Sequence, residues 1–219
     1  KNNIRSIPAM VEYATKHKIQ ASFKLAHGDG GKYLCTKDDL EWLEEEVLSN
    51  DVIGKLTSVR AEVCEYMPHF HKYEDYKDSC AAKKELGGGV VLSQIHELDY
   101  LMWIFGKPNK LLAYGDHRSD LEIDVEDNAT VLMEATYKDK ALPITLYMDF
   151  LQKTSRRSCD VYGTEGHIEA SLKDASLKIY KEGILTEDYS WDGFERNQQF
   201  IDQITNFVNA SLNNQDPMV

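Results

Sequence analysis

The sequence of 219 residues contains no apolar run that approaches the roughly 20 residues needed for a membrane-spanning helix. It has no recognisable signal peptide, so we expect a cytoplasmic protein. Lys and Arg residues are scattered, and a net charge of -12 repels phosphate backbones and anionic lipid. We therefore expect neither nucleic acid nor a membrane as a partner.

Cysteine is also scarce, and no C-x-x-C is present. The four cysteines lie far apart, at Cys35, Cys64, Cys80 and Cys159. Such spacing is typical of free thiols in a reducing cytosol. His69 and His71 form a potential pair of metal ligands, but no further Cys or His lies close enough in sequence to complete a set of three or four. We predict no metal site.

Nucleotide-binding motifs are missing too. The glycine-rich loop "HGDGGKY" contains no G-x-G-x-x-G, and a P-loop pattern is absent. The chain is therefore predicted to lack a self-contained dinucleotide or nucleotide site.

What the sequence does contain is a series of helix and strand patterns. Capping and apolar spacing predict helices over residues 6–18 and 36–50. "ATVLMEATY" and "LPITLYMDF" alternate apolar and polar residues around the turn "YKDKA", which predicts a hairpin with one buried face. "RRSCDVYGTEGHIEASLKDASLKIYKEG" predicts three more short strands, and "FERNQQFIDQITNFVNASL" a final helix with an apolar face. Tight turns join antiparallel strands, so we predict an α+β fold with an open, mainly antiparallel sheet and helices on one face.

The stretch "GGGVVLSQIHELDY", residues 87 to 100, combines glycines with many polar groups. An apolar stripe of Val91, Ile95, Leu98, Met102 and Phe105 predicts one helix from Val90 to Phe105. The glycines would lie at its N-terminus, with N–H groups facing outward. Ser93, His96, Asp99 and Tyr100 are spaced so that they share a rough face. Histidine exchanges protons near neutral pH, although a core histidine bonded to a backbone group fits the pattern equally well.

The longer run "DYKDSCAAKKELGGGVVLSQIHELDYLMWIFGKP" resembles the signature of the Gfo/Idh/MocA oxidoreductases, the family of glucose-fructose oxidoreductase, inositol dehydrogenase and MocA. "VIGKLTSVRAEV", "VYGTEGHIEA" and "ERNQQFIDQITNFV" match in the family's order. Family members join an N-terminal Rossmann domain, which binds NAD or NADP, to a C-terminal domain with an open antiparallel sheet. The resemblance implies that residues 26–219 are this C-terminal domain and that 1–25 are a remnant of the crossover from a Rossmann domain missing from this chain.

The resemblance also implies a site. His96 would lie beside the nicotinamide and act as acid or base on a hydroxyl of a sugar, cyclitol or nucleotide-sugar. Ser93 and Gln94 stand where the family commonly has a substrate-binding aspartate, and Lys77 stands where it often has an arginine. The full set of predicted substrate contacts is Tyr76, Lys77, Ser93, Gln94 and Asp99, and Gly88 and Gly89 are predicted to contact the cofactor. The family's open sheet often forms dimer interfaces, which implies a homo-oligomer.

Three function classes remain open at this stage. The first is the substrate and catalytic-base domain of an NAD(P)-dependent oxidoreductase, inert alone because the family's Glu-Lys-Pro lysine and the cofactor domain are not found. The second is a non-catalytic ligand-binding or dimerisation module that retains the fold. The third, ranked last, is a cofactor-free hydrolase or isomerase that uses His96 with Asp99 or Glu97.

Overall fold

The computed structural model describes residues 52–71, 73–190 and 198–214 of the chain. The predicted helices over 6–18 and 36–50 and the predicted crossover remnant over 1–25 lie outside this part. The division into domains therefore stays a prediction.

Eight strands form one open sheet in the order β2-β3-β4-β1-β5-β6-β7-β8. The strands are β1 (Leu56–Cys64), β2 (Lys110–Asp116), β3 (Asn128–Tyr137), β4 (Lys140–Asp149), β5 (Arg156–Gly163), β6 (Gly166–Ser171), β7 (Ser176–Lys181) and β8 (Ile184–Ser190). Every neighbouring pair is antiparallel except β1 and β4, which are parallel. The predicted α+β fold, with its open and mainly antiparallel sheet, is confirmed.

The connections explain this arrangement. Tight turns join β3 to β4 and link β5 through β8, and such turns require antiparallel neighbours. In the predicted β3–β4 hairpin, Lys138 (φ 44°) and Asp139 (φ 61°) form a two-residue turn in the left-handed region. β1 reaches β4 only through a long segment that contains the helices, so these two strands can run parallel.

Two helices cover one face of the sheet: α1 (Val90–Ser93), which contacts β3 and β4, and α2 (His96–Phe105), which contacts β1 and β3. Alternate residues of β3 and β4 are buried beneath them. These are Ala129, Val131, Met133, Ala135, Leu142, Ile144, Leu146 and Met148. The predicted buried face of the hairpin is therefore the centre of the hydrophobic core. The opposite face leaves Leu112, Tyr114 and Leu132 exposed.

Two elements in the last part of the chain differ from the predictions. β8 was not predicted, because "ILTEDYS" has little apolar alternation and most of the strand is exposed at the sheet edge. The predicted final helix is present as α3 (Gln198–Asn213), but Ile201, Ile204, Phe207 and Val208 are 45% to 64% exposed. An apolar stripe predicts a helix whether or not another element covers it.

Candidate active site

The predicted single helix from Val90 to Phe105 is interrupted. α1 ends at Ser93, Gln94 adopts φ -115° and ψ 33°, and α2 begins at His96. Sequence periodicity missed this kink because the apolar stripe keeps its spacing across it. Ser93 and His96 are exposed on the two sides of the kink, whereas Gln94 between them is 7% exposed.

Gln94 is the most unusual polar residue of the kink. Neither its side-chain oxygen nor its side-chain nitrogen has a hydrogen-bond partner among the residues that the structure describes. A buried amide without a partner is costly, and such groups are normally satisfied by protein, water or a ligand. The kink therefore holds unused hydrogen-bonding capacity next to His96.

The predicted shared face of four polar residues is only partly correct. Ser93 and His96 are exposed and Asp99 is half-buried, but Tyr100 is 2% exposed and faces the core. Burial raises the pKa of the Tyr100 phenol well above its usual value, and the nearby Glu97 carboxylate adds to this effect. His96 and Tyr100 are four residues apart within α2 itself, and this spacing alone does not show which of the two residues faces the core.

Glu97 also faces the core and is 1% exposed. Its Oε1 accepts a hydrogen bond from Arg157 Nε at 2.7 Å, and Arg157 Nη2 lies 2.6 Å from the same oxygen in an ion pair. Burial raises the pKa of Glu97, and the Arg157 guanidinium opposes this rise. Because His96 is exposed and consecutive helical residues do not face each other, Glu97 is poorly placed to act together with His96 as the third hypothesis requires.

The N–H groups of the glycine run are used within the chain. Gly88 and Gly89 are buried, and their N–H groups donate to the carbonyls of Lys83 and Ala81 at 2.9 Å. The expectation that these N–H groups face outward is therefore wrong. Whether the two glycines also come close to a cofactor stays a prediction.

Glu126 closes the N-terminus of α1, a role that the sequence did not indicate. Its backbone carbonyl accepts from Val90 N at 3.1 Å, and its Oε1 accepts from Val91 N at 3.3 Å. Burial raises the pKa of Glu126, and its hydrogen bonds partly oppose this rise. The first N–H groups of α1 are thus satisfied within the chain.

Glu126 belongs to a loop over residues 117–127, which we call the acidic loop. In "LEIDVED" the acidic residues alternate with apolar ones, and this alternation is the sequence pattern that could have indicated a partly buried acidic loop. Asp124 Oδ1 accepts from Lys84 N at 2.8 Å, and Glu122 Oε1 lies 2.5 Å from Lys77 Nζ. The acidic loop therefore binds the segment before α1 at successive points.

Tyr76 and Lys77 are both brought to this loop. The Tyr76 hydroxyl accepts from Glu122 N at 3.2 Å, and the hydrogen bond with Glu122 raises the pKa of Lys77. Within the described ranges, no hydrogen bond joins either residue to Ser93 or His96. The 3₁₀ turn Cys80–Ala82 that follows them contacts both their own turn and α1, so one short turn separates Tyr76 and Lys77 from the helix that carries Ser93.

In residues 52–71, 73–190 and 198–214, no group of three or more His, Cys, Asp or Glu side chains could hold a metal ion. His71 instead pairs with Glu74, with 2.5 Å between Nδ1 and Oε1. None of the helices in the described part of the chain combines the length and the apolar character needed to cross a membrane.

A comparison with known protein families identifies the family to which this chain is related. The family described as GFO/IDH/MocA C-terminal domain matches residues 45–169, more than half of the chain. The chain belongs to the Gfo/Idh/MocA family. This family consists of NAD(P)-dependent oxidoreductases that act on CH–OH donors. A comparison of this chain with the curated proteins gives no match.

Solved structures share the fold of this domain at low sequence identity. Aldose-aldose oxidoreductase from Caulobacter crescentus, solved with glycerol, has a TM-score of 0.61 at 16% identity, over 80% of this chain and 50% of its own. An oxidoreductase from Agrobacterium radiobacter, solved with NAD+, L-tartaric acid and magnesium, has a TM-score of 0.57 at 17% identity, over 98% and 69%.

A third similar structure is the WlbA dehydrogenase from Bordetella pertussis, solved with NADH and UDP-GlcNAcA. Its TM-score is 0.54 at 16% identity, over 81% of this chain and 52% of its own. The chain thus spans about half the length of most of these oxidoreductases.

Proposed function

We propose that this chain is the substrate-binding and catalytic-base domain of an NAD(P)-dependent oxidoreductase that acts on a hydroxyl or keto group of a sugar, cyclitol or nucleotide-sugar. The observation that carries the proposal is the kink between α1 and α2. It exposes Ser93 and His96 on the two sides of a buried Gln94 amide that lacks a partner in the described part of the chain.

Proton transfer is the step of the reaction that this chain would perform. The exposed His96 imidazole takes the proton from a substrate hydroxyl in oxidation and returns it in reduction. Ser93 and Gln94 hold hydroxyl groups of the substrate beside it. Both polar atoms of the Gln94 amide are enclosed, so this amide must turn toward the surface of the kink to reach a hydroxyl. Asp99, Tyr76 and Lys77 complete the proposed set of substrate contacts.

The cofactor would be bound mainly by a separate nucleotide-binding domain. Gly88 and Gly89 do not offer free N–H donors to a pyrophosphate, because those groups are already bonded within the chain. The side-chain space of Gly88 is filled by the Cys80 and Ala81 carbonyls and that of Gly89 by Glu126, so we propose only that the backbone of these two glycines lies near the cofactor. The nicotinamide would supply the hydride exchange at the substrate carbon. We expect the 219-residue chain alone to be inert and to be cytoplasmic.

The test uses the protein in which this chain is joined to a nucleotide-binding domain. A panel of sugars, cyclitols and nucleotide-sugars is assayed with NAD+ and NADP+ by the absorbance of the reduced nicotinamide. We expect His96→Ala to lower kcat by about 100-fold or more with an active substrate. His167→Ala on the open sheet face is the matched control and should retain activity. Unchanged turnover in His96→Ala would contradict the proposed function.

A second role rests on the open face of the sheet. Leu112 is 71% exposed, Leu132 pairs with it across β2 and β3, and Tyr114 lies on the same face. Apolar residues clustered on an exposed sheet face favour association, so we propose that this face forms a homo-oligomer. In sedimentation velocity, Leu112→Asp should shift the protein to monomer. A monomeric wild type would contradict this role.

A further inference from the structure

Two consecutive arginines at the start of β5 lie on opposite faces of the sheet. Arg157 pairs in register with Val63, on the helix-covered face that also buries Cys159. Arg156 lies on the open face, where its Nε is 2.7 Å from Glu62 Oε1. A guanidinium on the covered face needs an acceptor there, because an unpaired charge among apolar groups is costly.

The acceptor of Arg157 is Glu97, the second residue of α2. Both Nε and Nη2 of Arg157 approach the same carboxylate oxygen, at 2.7 and 2.6 Å. Glu97 is almost completely enclosed, whereas the Arg157 side chain is 37% exposed. The pair therefore joins the first turn of α2 to β5, with the carboxylate enclosed and the guanidinium partly open to solvent.

This attachment lies one residue from His96. α2 starts at His96, and its N-cap residue Ile95 provides no side-chain cap. No hydrogen bond holds the His96 imidazole among the described residues. At this exposed residue the backbone of the first turn of α2 fixes the position and direction of the Cα–Cβ bond, from which the imidazole extends. On the other side of the kink, α1 is held by Glu126.

We propose that Arg157 is a positioning residue: by holding Glu97 it fixes the first turn of α2, and with it the direction from which the His96 imidazole meets the substrate. This inference rests on the proposed function of His96. Small displacements of a reacting group reduce the rate of the chemical step more than they reduce binding. Loss of Arg157 should therefore lower kcat while KM changes little.

The experiment compares Arg157→Met, Arg157→Lys and Arg156→Met in the protein joined to its nucleotide-binding domain. We expect Arg157→Met to lower kcat about 10- to 100-fold with KM within about two-fold. Arg157→Lys keeps the charge but loses the planar fork, so it should recover part of the loss. Arg156→Met removes an arginine from the open face of the same strand and should leave kcat unchanged.

A second readout does not depend on turnover. In NMR spectra of the 219-residue chain without ligand, Arg157→Met should shift the His96 ring signals, and Arg156→Met should not. If Arg157→Met does not fold, Arg157→Lys and Glu97→Gln give the same two readouts, with smaller expected losses of kcat. Normal kcat and unshifted His96 signals in a folded Arg157 variant would overturn the inference.

The two proposals fail in different ways. If His96→Ala keeps its turnover, the proposed function fails whatever Arg157 does. If His96→Ala loses turnover while Arg157→Met does not, only the positioning role fails. A loss of kcat that is equal in Arg156→Met and Arg157→Met would show a general effect of β5 and would also overturn the positioning role.

Discussion

The carboxylate of Glu126 occupies the space that a side chain on Gly89 would need. A Cβ atom on Gly89 would lie 2.3 Å from Glu126 Oε1, and the Gly89 backbone has φ +112°. Glu126 cannot easily move away, because it is 7% exposed and Oε1 accepts from Val91 N. The first glycine of the run, Gly87, also has a positive φ, but nothing lies within 4 Å of its Cβ position.

This contrast predicts that Gly89→Ala lowers the free energy of unfolding by about 3 kcal/mol and Gly87→Ala by about 1 kcal/mol. Both substitutions strain the backbone, but only the first meets a buried carboxylate. The measurement is urea denaturation followed by circular dichroism.

A double-mutant cycle tests the cause. If the clash with Glu126 dominates, Gly89→Ala should cost less in a Glu126→Ala background than in wild type. Equal costs in the two backgrounds would contradict a steric contact between these residues, and equal costs for Gly87→Ala and Gly89→Ala would show backbone strain alone.

The buried Glu126 predicts a stability that falls as pH rises. Its folded pKa lies above the ordinary value of 4.5, mainly because of burial. Its contribution is therefore fully present below pH 4.5 and is lost as pH rises through the folded pKa. Glu126→Gln keeps an acceptor for Val91 N without a charge, so it should be more stable than wild type at neutral pH.

The unfolding temperatures of wild type and Glu126→Gln, measured from acid to neutral pH, test this pH dependence. Glu85→Gln, at an exposed position, is the control. The advantage of Glu126→Gln should shrink toward pH 4, whereas Glu85→Gln should follow wild type. An advantage that does not change with pH would contradict the buried-charge explanation.

The neighbouring Asp127 predicts the opposite pH dependence. Burial alone would raise its pKa, but hydrogen bonds from Ser119, Arg118 N and Asn128 lower it below the ordinary 3.8. The distances from these donors are 2.7 to 2.9 Å. Its stabilising contribution is present above pH 3.8 and is lost as pH falls through the lowered pKa.

Asp127→Asn should therefore lower the free energy of unfolding at neutral pH by about 3 kcal/mol, because an amide cannot accept from all these donors. In acid the gap to wild type should narrow. The exposed Asp120→Asn in the same loop is the control and should change stability little. A gap between Asp127→Asn and wild type that stays constant down to strong acid would disprove the charge-dependent role.

The sequence predicted secondary structure correctly where apolar residues recur at a short, regular spacing. Alternation in β3 and β4 predicted both strands and their buried residues, and the α+β sheet followed from the tight turns. The break at Gln94 could not be seen, because a kink of two residues leaves the spacing from Val91 to Leu98 compatible with one helix.

Contacts between distant segments were the other limit. Alternation in β5 places Arg157 on the covered face, yet its partner Glu97 is 60 residues away and no local pattern connects them. Glu126 is likewise 35 residues from Val91. Such pairings depend on the register of strands and on the packing of α2, which a single sequence does not report.

The Lys77–Glu122 ion pair predicts competition between an internal and an external partner. Glu122 lies 2.5 Å from the Lys77 ammonium, and Lys77 stands at the proposed substrate site. If Lys77 must leave Glu122 to bind an anionic substrate, Glu122→Gln should lower KM for that substrate by about two- to five-fold, and Lys77→Met should raise it. kcat should change little in either variant.

Steady-state kinetics at two salt concentrations measures this competition. Lys83→Met removes another exposed ion pair of the same segment, with Asp78, and serves as the matched control. It should leave KM unchanged. The effect of Glu122→Gln should weaken at high salt, because exposed charges are screened. A rise in KM of equal size in Glu122→Gln and Lys77→Met would mean that the pair only holds the acidic loop in place, and Lys77 would then not be a substrate contact.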